Sequence, residues 1–227
     1  MYGNQVFNTY FILGFGLCCI LDYIAIGLKH ILHKNITSQS YRWFFMHFIF
    51  NFIITIFGLK DLSICMDISK CATVPWYNGD MLYALVTSLH LYHYIFFKLT
   101  KKDIIHHVST CLLSTPLIIY YHRNPTAVMA VWFISGFPGC IDYFLLWLVK
   151  MGYIKSEIEK KIYVWISVWI RAPGCIATVA LQLGIYMISD TLSSIELMAI
   201  IWNTFITYSN GIYFMHDTLS SYYSLRR

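Results

Sequence analysis

The sequence predicts an all-α integral membrane protein with seven membrane-spanning helices. Three observations carry that prediction. Hydrophobic residues make up 58% of the 227, and charged residues only 12%, about half the share of a soluble domain. Long apolar runs recur along the chain, and mean hydropathy is +0.60. Basic residues gather in alternate connections between those runs. Aromatic residues reach 18%, many of them near the ends of the runs, where membrane interfaces favour Trp and Tyr. No long polar tail or repeat divides the chain, so 1–227 reads as a single multi-pass domain.

A membrane helix needs roughly 20 apolar residues. The expected spans are 6–28, 43–59, 81–97, 104–121, 127–149, 162–188 and 195–215. The second and third are short. The first begins after Met-Tyr-Gly-Asn-Gln, which lacks the basic start of a cleavable signal peptide, so it is expected to stay.

Twelve Lys and Arg fall after spans one, three, five and seven, and three fall on the other side. Positive residues stay cytosolic. The N-terminus is therefore expected in the lumen or outside and the C-terminus in the cytosol. The formal charge of +5 is explained by this bias, and nucleic acid is not an expected partner. The sequon Asn35-Ile36-Thr37 then falls on the cytosolic side, where it would go unused. Cys65 and Cys71 fall on the lumenal side, either as a disulfide or as two free thiols.

Ionisable residues are costly in lipid and normally face a protein interior. Here they share a layer. Asp22, His47, Asn51, His90, His93, His106, His107, Asp142, Arg171, Asn203 and Asn210 come from all seven spans. At 1.5 Å per residue, most lie within roughly 15 Å of the cytosolic face. That predicts a polar chamber open to the cytosol, with Asp22, His47, His90, His93, Arg171, Asn203 and Asn210 as its lining. His106 and His107 are adjacent and so about 100° apart on the helix. One is expected to act and the other to support.

Spans five and six are each broken beside a charge: Pro138 and Gly139 near Asp142, Pro173 and Gly174 after Arg171. Proline removes a backbone bond, and such breaks persist in membranes where they line a cavity. Asp142 and Arg171 are expected to pair. A histidine can take a proton from a hydroxyl or amine attacking a thioester, with a carboxylate such as Asp142 orienting it. The alternative is a structural polar network. His90, His93, His106 and His107 could supply four nitrogens to a metal, but nine histidines are few for the multi-box iron oxygenases, and no metal is expected. Span seven has no lysine for retinal and no Asn-Pro-x-x-Tyr, and span three lacks Asp-Arg-Tyr, which argues against retinal proteins and receptors.

Over about 80–213 the chain resembles the TLC family, which includes the ceramide synthases. The matching stretches are His-Leu-Tyr-His-Tyr at 90–94, Asp-Ile-Ile-His-His-Val-Ser-Thr at 103–110, the stretch from Ser135 to Gly152 around Asp142, and Trp-Ile-Arg-Ala-Pro-Gly at 169–174. The resemblance implies six or seven helices in a barrel around a lipid-sized tunnel, in the endoplasmic reticulum or a related membrane. It also implies acyl transfer from acyl-CoA to a lipid amine or hydroxyl, with His106, His107 and Asp142 as catalytic residues. Acyl-CoA would be a co-substrate, membrane lipids the partners, and no cofactor tightly bound. Ceramide synthases carry a longer motif with two aspartates where this chain has one and a Pro-Gly break, which places it nearer the uncharacterised branches. The alternative function is non-catalytic lipid binding, lipid sensing or control of membrane composition. Fatty-acid elongases have a histidine where Asp103 stands here.

Overall fold

The computed structural model describes residues 2–32, 38–188 and 192–224, with side chains from Gln5 onward. His33, Lys34, the sequon at 35–37, Arg226 and Arg227 lie outside the described residues. The fold is all-α, with no strand among the described residues. Among the described residues, seven long helices and one short one follow in order: α1 Tyr2–Ile31, α2 Ser40–Cys65, α3 Ile68–Thr73, α4 Gly79–Phe96, α5 Lys101–Tyr121, α6 Pro125–Lys150, α7 Ser156–Ile188 and α8 Ser194–Ser224.

Five helices, α1, α2, α5, α6 and α7, are long and apolar enough to cross a membrane, which makes this an integral membrane protein. The other two long helices, α4 and α8, carry buried polar groups, among them His90, His93, Asn203 and Asn210. Those side chains turn inward, so mean hydropathy understates how apolar the outer faces are. The second span was expected to stop at residue 59, but α2 continues to Cys65. Asp61 explains the extension. It is fully buried, and its carboxylate accepts the backbone N–H groups of Tyr77 at 2.6 Å and Asn78 at 3.1 Å. A helix can run past its apolar stretch when its polar groups are satisfied this way.

Six helices form a closed ring in the order α2, α4, α5, α8, α7, α6, and α6 returns to pack along α2. α1 lies outside the ring against α4 and α2. Its inner side contributes Cys18, Leu21 and Ala25 to a core shared with Met46, Phe50 and Leu89. Ile12, Leu13, Ile20 and Tyr23 on its other side are exposed. Because α1 is outside, Asp22 cannot line a chamber inside the ring. It pairs instead with Arg42 at the start of α2 and accepts the Tyr92 hydroxyl at 2.8 Å. The expected place of Asp22 in the polar lining is thus corrected.

Three helices contain a stretch of π-helix: Val108–Ser114 in α5, Trp132–Gly136 in α6 and Ser167–Arg171 in α7. Each ends two residues before a proline, namely Pro116, Pro138 and Pro173. Proline has no N–H and its ring clashes with the carbonyl four residues back. Widening the turn to i→i+5 bonds relieves that clash, as in the Thr115, Phe137 and Ala172 N–H groups, which donate to Thr110, Trp132 and Ser167. Two of the breaks were expected; the one before Pro116 was not. Close packing accompanies two of them. A Cβ at Gly139 would lie 2.6 Å from the Asn51 amide nitrogen, and one at Gly174 would collide with the Phe133 ring.

The connections on the two faces differ. At the start of α5, Thr100 and Asp103 form a reciprocal capping box, with bonds of 3.3 and 2.7 Å. On the opposite face, Asp80 pairs with Arg123 and accepts Trp76 Nε1 at 3.4 Å, and the Asn124 amide donates to the Cys71 carbonyl at 2.7 Å.

Cys65 and Cys71 are both buried free thiols in this structure, with their sulfurs 3.1 Å apart. Mild oxidation is expected to join them, with the loss of two hydrogens in the intact mass and protection of both from alkylation after denaturation. Continued alkylation of both after oxidation would refute the pairing.

His122 lies between α5 and α6 and is buried, with Thr126 Oγ1 3.4 Å from its Nε2. Burial pushes its pKa down from 6.5 to about 4. The folded state therefore resists a proton that the unfolded chain accepts. Its contribution is intact above about pH 6.5 and is lost as pH falls towards about 4, costing roughly 3 kcal/mol. Melting in detergent should show a loss of at least that size between those pH values, and His122→Gln should reduce it by roughly 3 kcal/mol.

Candidate functional site

The ring surrounds a cavity of about 120 Å³. All six ring helices line it and α1 does not. Its two ends differ. Val86, Ile118, Val131 and Ile134 form an apolar part, while His47, His90, His106, Asp142 and Arg171 form a polar part. The polar part lies towards the face of the 98–102 loop, because His90 is near the end of α4 and His106 near the start of α5. The π stretches all contribute to the wall, through Thr110 and Ser114, Ser135, and Arg171.

The paired histidines separate as helix geometry requires. His106 lines the cavity, whereas His107 is buried beside His90 and His93, with ring centroids 4.8 and 5.1 Å away. His90 Nδ1 is 2.7 Å from the Val86 carbonyl. A carbonyl only accepts, so Nδ1 carries the hydrogen, and neutral His90 has Nε2 as its acceptor. His106 Nε2 lies 3.3 Å from it and donates. That leaves Nδ1 as the free acceptor of His106, a tautomer assigned from the network. Thr110 Oγ1 donates to the His106 carbonyl at 2.6 Å and holds the turn.

Asp142 was expected to orient a histidine and to pair with Arg171. The structure brings all three to one cavity but makes neither contact. Among the described residues Asp142 has no hydrogen bond to His106 or His107 and no ion pair to Arg171. The Arg171 guanidinium is occupied by neutral groups on its own helix and α8. It donates to the Tyr163 hydroxyl and, at 2.7 Å, to Asn210 Oδ1, and it lies 4.2 Å from the Phe214 ring centre. Asn210 thus supports Arg171 from behind, outside the cavity wall, while Asn203 is in the wall.

A second, outer recess opens at the 98–103 side, rimmed by Ser38, Ser40, Lys98, Thr100 and Asp103. His93 lines this recess and not the inner cavity. Asp142 and Tyr143 line both. A row of stacked rings forms the partition. Trp43 stacks on His93 at 3.4 Å and meets the His47 ring edge-on at 3.7 Å, and His47 stacks on Tyr143 at 4.1 Å. Tyr143 and Tyr163 were not singled out from the sequence. The available signal was position: Tyr143 adjoins Asp142, and Tyr163 lies about two turns before Arg171. Among the described residues, no three His, Cys, Asp or Glu side chains converge as a metal site.

No family model, curated protein or solved structure matches this chain.

Proposed function

We propose that the chain is a lipid-handling membrane protein of the TLC type that transfers an acyl group from acyl-CoA to a lipid amine or hydroxyl. The observation that carries this reading is His106: a ring on the cavity wall whose Nε2 is held by His90, leaving Nδ1 as an acceptor. In the reaction, the acceptor nitrogen or oxygen attacks the thioester carbonyl and gives its proton to Nδ1. The carbon–sulfur bond breaks, and the proton passes to the departing coenzyme A sulfur. His90 is a positioning residue, and His107 packs behind both. The acyl chain occupies the apolar part of the cavity. Acyl-CoA is the co-substrate, with Lys98 at the rim of the outer recess near its phosphates. Asp142, on the wall shared by recess and cavity, faces the approaching acceptor. The basic bias supports an N-terminus in the lumen or outside and a C-terminus in the cytosol, and the resemblance to the TLC family points to the endoplasmic reticulum or a related membrane.

The test is release of coenzyme A by the purified full chain from a long-chain acyl-CoA, with membrane lipid extract as acceptor and mass spectrometry of the products. Thiol release with a new acylated lipid supports the proposal. Lipid that co-purifies with the protein, without thiol release under any acceptor, assigns the cavity to binding alone.

A further inference from the structure

Arg171 is a cation in an apolar interior with no ion pair; Asp142, in the same cavity wall, acts on it only through space. It is 5% exposed, and the groups around its guanidinium, Tyr163, Asn210 and Phe214, are all neutral. No carboxylate pairs with it among the described residues. Asp142 stands on the wall towards the outer recess, which Arg171 does not line. A buried charge is tolerated when it is paired. The Arg171 Nε also has no acceptor. Two more donors share that condition: the amide nitrogens of Asn51 and Asn203, on side chains 1% and 3% exposed, both in the same cavity wall. Away from them the wall turns apolar through Ile118, Val131 and Ile134. The cavity is small, about 120 Å³.

We infer that this cavity binds a single-chain amphiphile with an oxyanion head, a carboxylate or a phosphate. Arg171 supplies the charge and one free donor, Asn51 and Asn203 supply two more, and the alkyl chain lies along Ile118, Val131 and Ile134. The site belongs to the geometry and charge of the cavity and does not require His106 to react.

The experiment measures binding of four probes with one chain length to the full chain in detergent, by competition and native mass spectrometry: oleate, oleoyl lysophosphatidate, oleylamine and oleyl alcohol. At least one of the two oxyanions should bind 10-fold or more tighter than the amine and the alcohol. Preference for oleate identifies a carboxylate head, and preference for the lysophosphatidate a phosphate head. Arg171→Gln should abolish the preference and Arg171→Lys should keep part of it. Asn203→Leu, which leaves the charge in place, should weaken the oxyanion several-fold and serves if the Arg171 variants do not fold. Binding is read with no acyl-CoA and no acceptor lipid present, which separates this site from the transfer reaction. Equal or tighter binding of oleylamine, undiminished oxyanion binding by both Arg171→Gln and Asn203→Leu, or no binding of either oxyanion overturns the proposal.

Discussion

Replacing His106 by alanine is expected to lower acyl transfer by about 10²- to 10⁴-fold, the usual worth of a general base. The fold should survive, because His106 stands on a cavity wall. The informative companion is His90. His90→Phe removes the acceptor of the His106 Nε2 hydrogen, so the ring is no longer fixed in one tautomer. The turnover number should fall by about 10-fold or more while the KM for acyl-CoA stays close to wild type. His90→Gln can still accept through its side-chain oxygen and should recover part of the loss. A purely structural His90 would give a different pattern: both variants would melt earlier, and the pH profile of the residual activity would keep its wild-type shape.

The second large effect concerns stability. Asp61→Ala should lower it by roughly 3 kcal/mol, which for a chain of this length corresponds to a drop in melting temperature of about 6–12 °C. Asp61 is fully buried and accepts two backbone N–H groups from the connection into α4. Alanine leaves both donors without acceptors. Asp61→Asn keeps one acceptor oxygen and should cost about half as much. Melting of the three proteins in one detergent orders them, and an alanine variant as stable as wild type would show that the connection finds other acceptors.

The helices were legible because apolar runs of membrane length have few alternatives. The polar layer was legible for a similar reason. His47, His90, His106, Asp142, Arg171 and Asn203 lie at related distances from their helix ends, and depth in a helix is a count of residues. What the sequence does not encode locally is which helix stands inside. Asp22 has the depth of a cavity residue, yet α1 packs outside the ring, and its partner Arg42 is 20 positions away. The contact between Asp142 and Arg171 failed for a related reason. Opposite charge at similar depth does not fix rotation about a helix, and Tyr163 and Asn210 already hold the guanidinium. The π stretch before Pro116 could have been read, since it follows the same proline rule as the other two. It has no charge beside it to draw attention to the break.

Those three π stretches have a genetic consequence. A π turn amounts to an α-helix with one residue inserted. Losing a single codon within 108–114, 132–136 or 167–171 would therefore leave a membrane helix of nearly normal length. It would also rotate everything beyond the deletion by about 100° relative to everything before it. In α7 such a lesion would turn Arg171 against the residues that follow it, and in α6 it would turn Asp142 and Tyr143 away from the partition. The protein would insert in the membrane and accumulate, yet its chamber would have lost its pattern. Chains descended from this one should thus vary freely in the lengths of their connections while keeping the residue count of these three helices fixed.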